Sequence, residues 1–147
     1  MVYLDSSAFV KRYVPEAGRV WLQERLRSES RLYSSGITYA EVHAVFARKY
    51  RQEGWTRTEF QKARNEFELD WLTVEEVAVT NETLRAVPVL VGQVPLRGMD
   101  AIHLAAIRWL QLKLKEAPEL IASDARLLAA ARQFGFAACD PAEAEKK

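Results

Sequence analysis

The sequence predicts an α/β fold: three layers, with helices on both faces of a central, mostly parallel sheet of about five short strands. Three observations predict it. Short apolar runs rich in β-branched and aromatic residues (Val2–Leu4, Leu32–Ser34, Leu120–Ala122) alternate with long segments of helical spacing. The connections between them are too long for hairpins, which implies parallel pairing and right-handed crossovers. The first run starts at the second residue, where no leader is expected before it, and its position suits a central strand flanked by neighbours on both sides.

Val2-Tyr3-Leu4 is the first strand, and it ends on Asp5. Ser6 and Ser7 lead into a helical pattern of Phe9, Val10 and Tyr13. Val20, Trp21, Leu22 and Leu26 place a second helix from about Glu16 onward. Arg31–Ser34 reads as strand. Thr38 is an N-cap residue, opening a helix that closes at Gly54. Thr56 caps the next, whose Phe60, Ala63, Phe67 and Trp71 recur at three- and four-residue intervals. Leu72–Val74 and Val77–Val79 read as strand interrupted by Glu75 and Glu76. Thr80 opens a helix through Leu84, Val87 and Leu90, shortened or kinked by Pro88. Gly92–Gly98 is a loop. Asp100 begins the most apolar helix, which ends before Pro118. Leu120–Ala122 is a short buried strand, Asp124 precedes a helix stopped by Gly135, and Phe136–Cys139 is a final strand. Residues 1–140 form one domain, and 141–147 are a polar C-terminal tail.

Composition narrows the function. The chain has 147 residues, 49% of them hydrophobic, and a formal charge of +1. Overall charge therefore does not mark a nucleic-acid binder, and any attraction to phosphate must be local. The lone Cys139 permits no internal disulfide and reads as a small buried apolar residue. No apolar run approaches the roughly 20 residues of a membrane span, and no secretion signal is visible, so a cytoplasmic protein without membrane contact is expected.

Four acids occupy comparable places. Asp5 ends the first strand, Glu41 lies early in the helix after the second, Asp100 starts the apolar helix, and Asp124 follows the strand Leu120–Ala122. In a parallel sheet, strand ends and helix starts share one edge, where ligands gather. Capping and the helix dipole explain Asp100 or Asp124 singly. Glu41 sits in an apolar stretch and needs a partner, either an ion or an arginine.

The segments YLDSSAFVKRY, SGITYAEVHAVFARK, LRGMDAIHLAAI and LIASDARLLAAARQFG resemble the PIN domain, specifically the VapC-type ribonuclease toxins, in order and over nearly the whole chain. The resemblance places that family's four acids on Asp5, Glu41, Asp100 and Asp124. It implies a metal-dependent endoribonuclease using Mg²⁺, with Mn²⁺ able to substitute, an RNA substrate, a cognate antitoxin partner and a homodimer. One departure is visible. The family often has a small hydroxyl residue two before the fourth acid. Here it is Ala122, with Ser123 pointing elsewhere, so that support for Asp124 is missing.

Hydrolysing a phosphodiester develops charge on phosphoryl oxygens, which a divalent ion held by hard carboxylate oxygens stabilises. Asp5 and Asp100 are expected to ligate directly, with Glu41 and Asp124 completing the shell or recruiting a second ion. Ser6 or Ser7 can reach the metal's water or a phosphate. Lys11, Arg12 and Arg97 are candidate phosphate contacts, and Arg48, Lys49 and Arg51 a possible track. His43 and His103 read as packed or hydrogen-bonded side chains. Trp21, Phe46, Phe60 and Trp71 are candidates for an interface, with core packing the default. The alternatives are a non-catalytic RNA- or protein-binding module, and phosphoryl transfer through an aspartyl phosphate. The second is disfavoured because Ser7 stands where a second acid is needed.

Overall fold

A computed structural model describes residues 1–147. Its centre is a five-stranded sheet, all parallel: β1 (Val2–Leu4), β2 (Leu32–Ser35), β3 (Val74–Val77), β4 (Glu119–Ile121) and β5 (Ala138–Cys139). The strand order is β3-β2-β1-β4-β5, so β1 is central as its composition requires. Strand alternation divides the core. Val2 and Leu4 face one side with Phe9, Leu22, Val42, Phe46, Ala63 and Phe67. Tyr3 faces the other with Leu90, Leu104, Ile107 and Leu127. Each β1 side chain is fully buried, as expected of a strand covered on both faces.

The first face is covered by α1 (Ser6–Val10), α2 (Arg19–Arg27), α3 (Gly36–Gln52) and α4 (Arg57–Trp71). The other carries α5 (Asn81–Leu84), α6 (Val87–Gln93), α7 (Gly98–Leu114) and α8 (Ala125–Gln133). Thr56 caps α4 as the sequence predicts, and Glu59 closes a capping box with it.

Three local expectations are corrected. The cap of α3 is Ser35, not Thr38, and its Oγ accepts from the Ile37 N–H. Thr38 lies in the first turn, buried, with its hydroxyl unpartnered. Glu75 and Glu76 do not interrupt a strand but belong to β3, whose edge position lets both point to water and discourages further pairing. Pro88 does not kink one helix. It stands in the first turn of α6, where its missing N–H costs nothing, and the pattern splits into α5 and α6.

The expected polar tail is partly helical: α9 (Pro141–Ala144) docks on α2. The Glu145 carboxylate accepts from the backbone N–H groups of Gly18, Val20 and Trp21 at the start of α2, which has no side-chain cap of its own. Gly18 has φ +90°, and a Cβ there would come within 2.6 Å of the Ala142 nitrogen, so only glycine admits this contact. These bonds, first the one from Gly18, hold the Glu145 carboxyl below the usual glutamate range. A depressed carboxyl stabilises the fold above its unfolded value and loses that contribution as pH falls through its folded one. Glu145→Ala is therefore expected to lower the melting temperature by a few degrees at neutral pH. The difference should close on acidification below the usual glutamate range, as followed by circular dichroism.

Candidate active site

The ends of β1, β2 and β4 bring the acids to one edge. Asp5 is both the residue after β1 and the N-cap of α1: its Oδ1 accepts the Ala8 N–H at 3.0 Å. It is only 4% exposed, and no lysine or arginine pairs with it. Burial pushes its carboxyl up, against the opposing pull of His103 and the hydrogen bonds from Ala8 and Ser7.

Ser7 is the hub beneath Asp5. Its hydroxyl lies 2.8 and 2.9 Å from the two Asp5 oxygens. The Ser123 N–H donates to that same Oγ at 2.8 Å, tying the start of α1 to the loop after β4. Ser7→Ala would strip Asp5 of a donor and leave the Ser123 N–H unpaired. An expected loss of about 1–3 kcal/mol in urea unfolding follows. Loss of a supporting partner typically costs about 10- to 100-fold in metal affinity or activity, and the same variant should show it in Mn²⁺ titration.

Glu41 lies in the second turn of α3, half-buried. Its protein partner is not an arginine but His103: Oε2 is 3.3 Å from Nε2. The other ring nitrogen of His103 is 2.9 Å from the Tyr3 hydroxyl. Burial holds Tyr3 protonated, so its hydroxyl faces one ring nitrogen of His103 while Glu41 faces the other. Burial alone would raise the Glu41 carboxyl. The His103 and Ser6 hydrogen bonds and the His103 and Arg97 charges outweigh it and hold the group below its ordinary range. The clue to His103 in the sequence is its position one turn after Asp100 on α7.

Asp100, in the first turn of α7, is buried and accepts from Arg97 Nε at 3.1 Å. Asp124 is the N-cap of α8. Its Oδ1 accepts the Arg126 and Leu127 N–H groups, and its Oδ2 accepts Arg97 Nη2 at 2.7 Å. Burial raises the Asp124 carboxyl, but the two backbone donors and the charges of Arg97 and Arg126 carry it below its ordinary value. Asp124 thus draws its support from its own helix. Ala122 is buried, and Ser123 does point elsewhere, its Oγ donating to Asp140.

Arg97 thus joins Asp100 to Asp124, Ser7 ties Asp5 to the backbone beside Asp124, and His103, on the same helix as Asp100, meets Glu41. Other expected contacts fall away. Lys11 is buried and donates to the Ala17 carbonyl. Arg12 pairs with Asp70, and Arg48 and Lys49 pair with Glu53, so these cations are engaged away from the acids. His43 faces α4 and pairs with Glu68. Phe46 is fully buried and forms no surface; Trp21, Phe60 and Trp71 are partly buried against the core. Cys139 is half-buried, not fully, and its thiol is pushed up by burial.

The chemistry of the donor set suits a hard divalent cation: carboxylate oxygens from the end of β1 and from α3, α7 and the cap of α8, one of them a buried acid with no lysine or arginine partner. As placed, no three acidic, histidine or cysteine groups converge into a ligand set. The Arg97 guanidinium stands between Asp100 and Asp124 instead.

Comparison with known proteins identifies the family and the fold. The family model of the PIN domain matches residues 2–133. The chain is 32% identical over 145 residues to ribonuclease VapC47 of Mycobacterium tuberculosis, covering 96% of this chain and 97% of that one. It is also 32% identical over 106 residues to ribonuclease VapC45 of the same organism, covering 72% and 74%. Among solved structures, a toxin–antitoxin complex from Klebsiella pneumoniae superposes with a TM-score of 0.65 at 20% identity, covering 96% and 98%. PAE2754 from Pyrobaculum aerophilum does so with a TM-score of 0.68 at 16% identity, covering 99% and 93%. These last two show likeness of fold.

Proposed function

The chain belongs to the PIN domain family, and on that premise we propose that it is a metal-dependent endoribonuclease, the toxin of a toxin–antitoxin pair. The observation that carries the reading is Asp5: a buried carboxylate at the end of the central strand, without a basic partner, in the same neighbourhood as three further acids. A buried anion is costly unless something offsets its charge, and a divalent cation does so. Asp5 and Asp100 would hold the ion, with Glu41 and Asp124 completing the shell; Mg²⁺ or Mn²⁺ fits these hard oxygens. When bound, such an ion stabilises charge on the phosphoryl oxygens and lowers the pKa of an attacking water.

The chain's own residues do the rest. Ser7 fixes the rotamer of Asp5, and Tyr3 and His103 fix that of Glu41. Ser6 stands beside Glu41 at the start of α1, within reach of a bound phosphate or water. The proposal extends to an RNA substrate, a cognate antitoxin, a homodimer and a cytoplasmic location. The names of the relatives support the first two, and no helix is long and apolar enough to cross a membrane.

A second reading, a non-catalytic binding module, is favoured by one observation: Arg97 already neutralises Asp100 and Asp124. Cleavage of a mixed RNA pool, followed on a gel with Mg²⁺, with Mn²⁺ and with excess chelator, separates the two. The nuclease cuts only with metal and recovers when metal is restored. Absence of cutting, together with no specific Mn²⁺ uptake in calorimetry, establishes the inert module.

A further inference from the structure

We infer that Arg97 is a built-in place-holder for the divalent cation, so that metal enters this site by exchange with the guanidinium and not by simple addition. The inference rests on the metal-site reading above and concerns how that site is kept when no ion is bound. Arg97 spans acids from two different elements. Nε donates to Asp100 Oδ2 in the first turn of α7, and Nη2 donates to Asp124 Oδ2 at the cap of α8. Without a cation, these carboxylates and their neighbours would repel one another. Arg97 removes that repulsion within the chain.

Three features make the guanidinium exchangeable. Its side chain is 59% exposed, so no packing locks it in place. It stands at the N-cap position of α7 with extended backbone, where a side-chain rotation alone carries it off. It takes one oxygen from each acid and so occupies one oxygen of each of two of the carboxylates assigned to the ion. The guanidinium carries one charge against the ion's two, and an exposed ion pair is weak. It therefore yields to metal at a cost in affinity while keeping the empty site assembled. Arg126 is the natural contrast. Its charge acts on Asp124 through space, but its side chain makes no ion pair there.

Calorimetric titration of Mn²⁺ into the full chain tests the exchange. Arg97→Gln is expected to tighten Mn²⁺ binding by about five- to tenfold, the value of two exposed ion pairs no longer broken. Arg126→Gln, which removes equal charge without a direct contact, should change it by less than about threefold. A second readout needs no metal-loaded activity. In the unaltered protein, the Arg97 Nε–H resonance should move on adding Mg²⁺, and its exchange with water should accelerate. No tightening in Arg97→Gln, equal tightening in both variants, or an Nε–H signal untouched at saturating Mg²⁺ overturns the inference. Absence of Mn²⁺ uptake by every form, the unaltered chain included, overturns the metal-site reading and this inference with it. Uptake by the unaltered chain without tightening in Arg97→Gln overturns this inference alone.

Discussion

Asp5→Asn is expected to abolish metal-dependent RNA cleavage, by on the order of a thousandfold or more, while the chain stays folded and at neutral pH at least as stable. The stability half follows from the sign of the Asp5 shift. Burial pushes this carboxyl above its ordinary value. A group whose folded pKa is raised contributes its stability below the unfolded pKa, and that contribution is lost as pH climbs through the folded one. At neutral pH the metal-free carboxylate is therefore a net cost that asparagine does not carry. The amide keeps an oxygen for the Ala8 N–H and offers a donor to the Ser7 oxygen, so the geometry around α1 survives. What is lost is the charge. A neutral amide oxygen is a poor ligand for a hard dication, and the ion's share of phosphate stabilisation goes with it. Asp100→Asn should produce a comparable loss of cleavage. Measured together, the melting temperature and the cleavage rate of Asp5→Asn should move in opposite directions or the first not at all. Retained metal-dependent cleavage in both variants would refute the assignment of these acids.

The contrast between what could be read in advance and what could not has a physical origin. Asp5 was legible because strand, acid and helix start are contiguous in the chain, and contiguous features report on local geometry. The same holds for the Thr56 cap and for α7, whose length and apolar periodicity admit one reading. The cap of α3 was misplaced because Ser35 and Thr38 are nearly equal caps, and only packing decides between them. Gly36 lies against Glu76 of β3, so the chain must already be turning into the helix there. β3 was misread because its edge position leaves acids in a strand at no cost. The partner of Glu41 was unreadable for another reason. His103 lies 62 residues away, and Tyr3 a further 100 residues from His103, so the relay exists only once β1, α3 and α7 have met. The sequence marks Arg97 as a cation near the site, but only the fold shows it pairing with two of the acids. Periodicity shows which face a helix buries; it carries no information about which side chain meets it.

The largest expected effect on stability lies away from the acids, at Phe67. This ring is fully buried at the centre of an aromatic cluster on the α1–α4 side of the sheet. It meets Phe9 of α1 edge-on at 5.3 Å, Phe46 of α3 at 6.1 Å, and Trp71 of its own helix at 5.5 Å. Tyr13 and His43 close the cluster at 5.9 and 5.2 Å. Asp5 caps α1 and α3 carries Glu41, so the side chain that packs α4 against both helices touches the two elements that hold these acids. Phe67→Ala would remove most of a buried ring and leave a cavity bounded by stiff aromatics that cannot close around it. The expected cost is about 3–5 kcal/mol, enough to lower the melting temperature by roughly 10 °C or more in a chain of this length. Phe67→Leu fills most of that space and should recover a large part of the loss. Cleavage at a temperature where both variants remain folded adds a second discrimination. If the cluster only stabilises, activity per folded molecule stays constant across the three proteins. If it also sets the Asp5–Glu41 spacing, activity falls in Phe67→Ala and returns in Phe67→Leu, because a displacement of about 1 Å between reacting groups is costly.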